Sequence, residues 1–298
     1  MNNHKKLFLI DAYTLIYQSY YAYIKTPLFT SSGLNTSPIM NFTHFLINTL
    51  YNENPKYMAV VFDTNQVTFR KIKYEKYKKN RKKMPKAIEI AVPYIARILE
   101  SFKIPLFYSK HGYEADDIIG TIAKIAEKKG YIVYIISLDK DFFQLATENI
   151  NIYIPPFKGN SKKILGIEDI KKKFDINHPK QIIDLFSMIG DPSDNIPGLP
   201  GIGKKTANFF VKKYGSIENL LHSIHDLNGK MKENVKKNKK LGLLCKKLVT
   251  IITNVPFVTF NEKKFYIVKP NWNEIERIFK ILEFSRLLKI AYLYFKKK

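Results

Sequence analysis

One cysteine, Cys245, is all that 298 residues provide, so no intrachain disulfide can form and no CxxC zinc or redox pair exists. A reducing cytosol fits. Acidic side chains are scarce: 26 Asp plus Glu stand against 50 Lys plus Arg, a formal charge of +24 that points to a polyanionic partner. Arginine is rarer still. Only Arg70, Arg81, Arg97, Arg277 and Arg286 stand among those cations, and lysine grips phosphate as a point charge while reading bases poorly, so sequence-blind nucleic-acid binding is expected. An AT-rich genome would also enrich Lys, Asn, Ile and Tyr. No stretch offers the roughly 18 uncharged apolar residues of a membrane-spanning helix. The run Leu7–Ile24 follows Lys5 and Lys6 but holds Asp11, Gln18 and five tyrosines, which argues against an export signal. A cytoplasmic protein with no membrane partner is expected. With 45% hydrophobic and 26% charged residues the composition is that of a folded chain.

Short β-branched runs alternate with amphipathic stretches through the first half, the pattern of a mostly parallel α/β sheet. The spacing predicts strands at Lys6–Ile10, Tyr57–Phe62, Ile104–Tyr108 and Ile132–Leu138, with helices at about 12–24, 38–52, 88–102 and 114–129. Past about residue 165 helical periodicity takes over, interrupted by the Pro/Gly-rich stretch from Asp191 to Gly203. This divides the chain into an α/β unit over 1–168, a helical unit over 169–260 and a helical extension over 261–298. The closing lysines, Lys296 to Lys298, read as a frayed end.

The acids fall where chemistry is done. Asp11 ends the first strand, Asp63 the second, and Asp139 with Asp141 the fourth; in an open parallel sheet the carboxyl ends of strands line one crevice. Glu114, Asp116 and Asp117 follow the third strand, and Asp191 and Asp194 open the Pro/Gly stretch. Taken singly, each reads as a helix cap or a surface charge. Together, nine like charges in one crevice would repel unless protonated or neutralised. An all-oxygen set with no His or Cys motif favours Mg²⁺ or Mn²⁺, and two such ions about 4 Å apart can drive phosphodiester hydrolysis.

From Arg70 to Lys86 ten basic residues meet one acid, Glu75, with Tyr74 and Tyr77 interleaved. Cations along a helix beside aromatic rings suit a single strand whose bases stack and whose phosphates are gripped; a solvated charge run is the plainer reading. The stretch Gly198 to Ala207 is neither a P-loop, since Lys205 fills the Ser/Thr slot, nor a dinucleotide fingerprint, since its glycine spacing is reversed. It reads as a tight turn between helices whose backbone N–H groups, helped by Lys204 and Lys205, hold a duplex phosphate. The eight lysines between Lys230 and Lys247 extend that surface or form an ordinary exposed face. The six histidines form no convincing metal-spaced set and read as structural.

These residues resemble the 5′ nuclease domain at the N-terminus of bacterial DNA polymerase I, related to flap endonucleases. The likeness rests on Leu9-Ile-Asp11, Val60-Val-Phe-Asp63, Thr68-Phe-Arg70, Tyr77-Lys78, Arg81, Met84-Pro85, Tyr113-Glu-Ala-Asp-Asp117, Asp139-Lys-Asp141, Gly190-Asp191 through Gly198, and Gly201-Ile-Gly203-Lys-Lys-Thr-Ala207. It implies a PIN-like, Rossmann-like sheet with a helical arch at about 70–100, then a helix-hairpin-helix subdomain. One metal site would use Asp11, Asp63, Glu114 and Asp116, and another Asp139, Asp141, Asp191 and Asp194, with Asp117 in support. Tyr77, Lys78 and Arg81 would stack on and clamp a threaded 5′ strand. Arg70, Gly198, Gly201, Ile202, Gly203, Lys204, Lys205 and Thr206 would contact DNA, with a K⁺ ion at the hairpin. The chain departs from the family at Ala12, at Gln18 and over Thr36–Asn41.

The resemblance implies a metal-dependent 5′-3′ exonuclease and 5′ flap endonuclease in replication and repair. Its substrates would be flaps, nicks or primer ends, and it would act as a free-standing, nucleoid-associated monomer beside a separate polymerase and ligase. A non-catalytic junction binder and a PIN-type ribonuclease are the alternatives.

Overall fold

A computed structural model describes residues 5–156 and 160–295; the lysines 296–298 lie outside them. A six-stranded sheet forms the centre, built from β1 (Lys6–Asp11), β2 (Tyr57–Phe62), β3 (Leu106–Tyr108), β4 (Ile132–Ile136), β5 (Ile150–Ile154) and β6 (Lys163–Leu165) in the order β3-β2-β1-β4-β5-β6. All pairs are parallel except β5 with β6.

Both faces are covered, which explains strands that read as nearly continuous apolar runs. Side chains alternate across the pleat. Leu7 and Leu9 of β1 point into one core and Phe8 and Ile10 into the other. On the second face lie α1 (Ala12–Ala22), α2 (Ser37–Glu53) and α4 (Lys86–Ser101), closed over by the last two helices, α12 (Trp272–Ile281) and α13 (Ser285–Phe295). The first face carries α5 (Ala115–Lys128) and then the helical half: α6 (Ile167–Phe174), α7 (Gln181–Ile189), α8 (Lys204–Tyr214), α9 (Ile217–His222), α10 (Gly229–Lys237) and α11 (Lys239–Val249).

The four expected strands and four expected helices are present, with differences that have local causes. β3 begins at Leu106, not Ile104, because the Ile104 N–H turns back to the Leu99 carbonyl at the end of α4 and Pro105 has no N–H to give. β5 and β6 are additional. The expected helical arch is helical only at its ends: α3 (Phe69–Lys73) is five residues long and no helix follows until α4. Between them Lys78 takes a left-handed conformation (φ 56°), neighbouring lysines repel at helical spacing, and Pro85 disfavours helix at Met84. The basic track is therefore a string of turns.

Candidate active site

Three adjacent parallel strands, in the order β2-β1-β4, end at one edge of the sheet. Register sets the depth of each acid: Asp11 closes β1 opposite Val61, so Asp63 stands two residues further out, and Asp139 lies three residues past Ile136, the partner of Ile10.

Each acid is held. Asp11 caps α1, accepting the Thr14 N–H at 3.4 Å, the Thr14 hydroxyl, and the Ser137 hydroxyl at 2.9 Å. Asp63 accepts the Ala115 N–H at 2.7 Å, tying the end of β2 to the start of α5. Asp139 caps the 3-10 turn Lys140–Leu145 through the Asp141 N–H at 2.9 Å. Asp191 accepts the Ser193 N–H at 3.0 Å and hydroxyl at 2.7 Å, with the Lys140 ammonium 3.1 Å away.

Electrostatics divide these acids in two. Glu114 and Asp194 already have cations, since Lys78 Nζ lies 3.0 Å from Glu114 and 3.8 Å from Asp194, and Arg81 pairs with Asp194. Burial opposes the charge on Lys78 and Arg81, yet the facing carboxylates outweigh it and hold both more firmly protonated than usual. Asp191 has Lys140, but Asp11, Asp63, Asp116, Asp139 and Asp141 have no such ion pair among the described residues. Burial, reinforced by Asp139 and Asp63, pushes Asp11 up to about 6 against the hydrogen bonds from Thr14 and Ser137. Asp63 and Asp139 also rise, chiefly through burial. Asp116 and Asp141 rise well above the carboxylate range, again through burial first and Asp139 next.

The Asp141 Oδ1 atom is buried with no hydrogen-bond partner. An orphaned carboxylate oxygen among acids that cannot all ionise together is a donor set for a hard cation. Among the described residues no three of these side chains close into a protein-only cage.

Three residues expected at the reaction face serve elsewhere. Asp117 is fully buried and turned away from the crevice, gripped by both Arg70 terminal nitrogens at 2.8 Å and by the Ile252 N–H at 2.8 Å. Arg70 is buried as well. Its Nε donates to the Leu248 carbonyl at 2.9 Å and its terminal nitrogens to Asp117, to Glu114 at 3.4 Å and to the Thr250 carbonyl at 2.7 Å, which exhausts its five N–H groups and leaves none for a phosphate. Tyr77 is 4% exposed, its hydroxyl donating toward Glu114 (3.0 Å) and Asp194 (3.2 Å). A ring so placed orients the rim through Glu114 and Asp194.

Lys78 and Arg81 do reach the crevice, on a segment fastened to the turn 192–195. The Lys78 N–H donates to the Asp194 carbonyl at 2.9 Å, the Asn80 amide to the Pro192 carbonyl at 2.6 Å, and the Asn195 amide to the Lys76 carbonyl at 2.7 Å.

In the glycine turn, Gly198 and Ile202 face inward. A Cβ on Gly198 would sit 2.5 Å from the Gly190 backbone nitrogen, and its φ is +69°, so two backbones cross there and only glycine fits. Ile202 is a core residue. Gly201, Gly203, Lys204 and Lys205 are exposed and Thr206 half-buried around the start of α8, which Gly203 opens. Sequence reasoning passed over Thr14, Ser137 and Lys140; the one available signal was a serine interrupting an apolar run just before Asp139.

Two family models match the chain: the 5′-3′ exonuclease N-terminal resolvase-like domain over residues 6–175 and the 5′-3′ exonuclease C-terminal SAM fold over 177–273. A 5′-3′ exonuclease of Aquifex aeolicus is 35% identical over 285 residues, covering 96% of this chain and 94% of that protein. DNA polymerase I of Bacillus subtilis is 38% identical over 97% of this chain, which spans only 32% of that relative's length. Among solved structures, bacteriophage T5 5′-exonuclease with bound divalent zinc superposes with a TM-score of 0.68 at 21% identity, covering 96% of this chain and all of that one. The catalytic core of Rad2 in complex with a DNA substrate gives 0.63 at 18%, covering 97% and 92%. At those identities the shared property is the fold.

Proposed function

The chain belongs to the 5′-3′ exonuclease family, and from that premise we propose that it is a divalent-metal-dependent phosphodiester hydrolase, a 5′-3′ exonuclease that also cuts 5′ flaps on DNA and removes RNA primers. The observation that carries this reading is the rim where Asp11, Asp63, Asp116, Asp139 and Asp141 share a charge they cannot bear alone, with Lys78 and Arg81 beside it. In this proposal Asp11, Asp63, Glu114 and Asp116 hold one ion, and Asp139, Asp141, Asp191 and Asp194 a second. Mg²⁺ or Mn²⁺, when bound, activates water and neutralises the charge that develops on the phosphate.

The chain's own groups do the rest. Lys78 and Arg81 leave Glu114 and Asp194 to hold the non-bridging oxygens of the scissile phosphate. Tyr77 keeps Glu114 oriented. Lys204 and Lys205, with the N-terminus of α8, grip a duplex phosphate and set how far the strand reaches. Water adds to phosphorus and the bond to the 3′ oxygen breaks, leaving a 5′ phosphate and a 3′ hydroxyl. No step of the hydrolysis is assigned to a K⁺ ion at the hairpin. Residues 1–168 would cut, 169–260 hold the duplex and 261–298 brace the sheet. The protein would act as a monomer on the nucleoid, with polymerase and ligase on other chains. No described helix is long and apolar enough to cross a membrane.

Incubation with 5′-labelled flap DNA, with and without Mg²⁺, tests the reading. Asp116→Ala, or Asp139→Ala with Asp141→Ala, is expected to abolish cleavage while the flap still binds. Full turnover by either variant would remove the ion-based reading.

A further inference from the structure

Ser137 stands one residue beyond the Ile10–Ile136 pair of β1 and β4, so it faces Asp11 across the two central strands. It is fully buried at the end of an apolar strand, where alanine would fill nearly the same space. Its hydroxyl donates to Asp11 Oδ2 at 2.9 Å and accepts the Asp139 N–H at 3.0 Å. Thr14 Oγ1 lies 3.2 Å from it and donates to the same Asp11 oxygen. A hydroxyl has one proton to give and lone pairs to receive, and here both capacities go to the acid rim.

We infer that Ser137 is a positioning residue that fixes the Asp11 carboxylate against the Asp139–Asp141 turn, so that one hydroxyl sets the two proposed groups of ion ligands relative to each other. The inference rests on the reading of the crevice as a divalent-ion site. Asp11 comes from β1 and Asp139 from the loop after β4, and without a shared partner each would be oriented only by its own helix cap, Thr14 on one side and the Asp141 N–H on the other. Losing a partner that orients a metal ligand from behind typically costs about 10- to 100-fold in ion affinity or activity. Ser137→Ala would leave Asp11 Oδ2 with the Thr14 hydroxyl alone and the Asp139 N–H without its side-chain acceptor.

The test is Mn²⁺ titration of the intact protein without DNA, by calorimetry, paired with melting in EDTA. Ser137→Ala is expected to bind Mn²⁺ about 10- to 100-fold more weakly, and Ser137→Thr, which keeps the hydroxyl, within about threefold of the parent. Melting in EDTA should move far less than the ion-induced rise in melting temperature. Parent-like Mn²⁺ affinity in Ser137→Ala overturns the inference and leaves the crevice reading intact; a parent protein that takes up no Mn²⁺ sinks the crevice reading itself. A Thr variant as weak as the Ala variant, or an Ala variant too unstable to titrate, also overturns it, because Ser137 would then be holding the fold.

Discussion

Replacing Arg70 by methionine separates two roles that look alike in sequence. If Arg70 contacted DNA phosphate, the variant would melt like the parent, bind flap DNA more weakly and lose about one unit from its salt slope. Its surroundings argue otherwise: all five N–H groups are engaged, with Asp117 fully buried opposite it. Removing one partner of such a pair leaves an uncompensated buried charge and costs about 3–5 kcal/mol. The Leu248 and Thr250 carbonyls lose a donor as well. At an unfolding entropy of about 2.1 cal/mol/K per residue, 1 kcal/mol moves the midpoint of a chain this long by roughly 1.6 °C, so about 4 kcal/mol corresponds to a drop of roughly 6 °C. Differential scanning calorimetry in EDTA measures this directly, free of any contribution from bound ions. Arg70→Met with Asp117→Leu should recover part of the loss, since two apolar side chains strand no charge. A single variant melting within about 2 °C of the parent would refute the argument.

Three further outcomes follow from the same geometry. Mg²⁺ should raise the melting temperature in proportion to the logarithm of its concentration, by an amount equivalent to about 2.7 kcal/mol at 100 times Kd, and Asp116→Ala should lose most of that rise in thermal-shift measurements. In EDTA the folded protein binds more protons than the unfolded chain, because Asp11 sits at about 6 when folded, above its ordinary 3.8. Its contribution is therefore complete below the unfolded value and lost as pH rises through about 6, so urea unfolding should show this ion-free protein more stable at pH 5 than at pH 7, and a steady increase toward pH 7 would contradict it. Lys78→Ala and Arg81→Ala should slow single-turnover cleavage by about 100-fold each while weakening duplex binding much less; equal losses in both would rule out a clamp on the scissile phosphate.

The placement of the crevice acids was legible because parallel topology turns a local pattern, an acid after an apolar run, into a shared edge. Asp11, Asp63 and Asp139 needed nothing more than that rule. Arg70 was misleading: it opens a basic run, and the acceptors that claim it, Leu248 and Thr250, lie 178 and 180 residues away, beyond any local signal. The burial of Tyr77 escaped notice for a similar reason, since it depends on Glu114 and Asp194 arriving from two other regions. The stretch 74–85 has the lysine content of an exposed helix, but its hydrogen bonds go to the 192–195 turn. Ser137 left only a faint trace, one polar residue in an apolar strand.

The segment that seats Arg70 and anchors α5 comes late in the chain. In chain order the last carboxylate of the crevice is Asp194, whereas the carbonyls of Leu248 and Thr250, the N–H of Ile252 and the closing pair α12 and α13 follow it. Until Ile252 has been added, the buried Arg70–Asp117 pair therefore lacks the two carbonyls and the N–H that seat it.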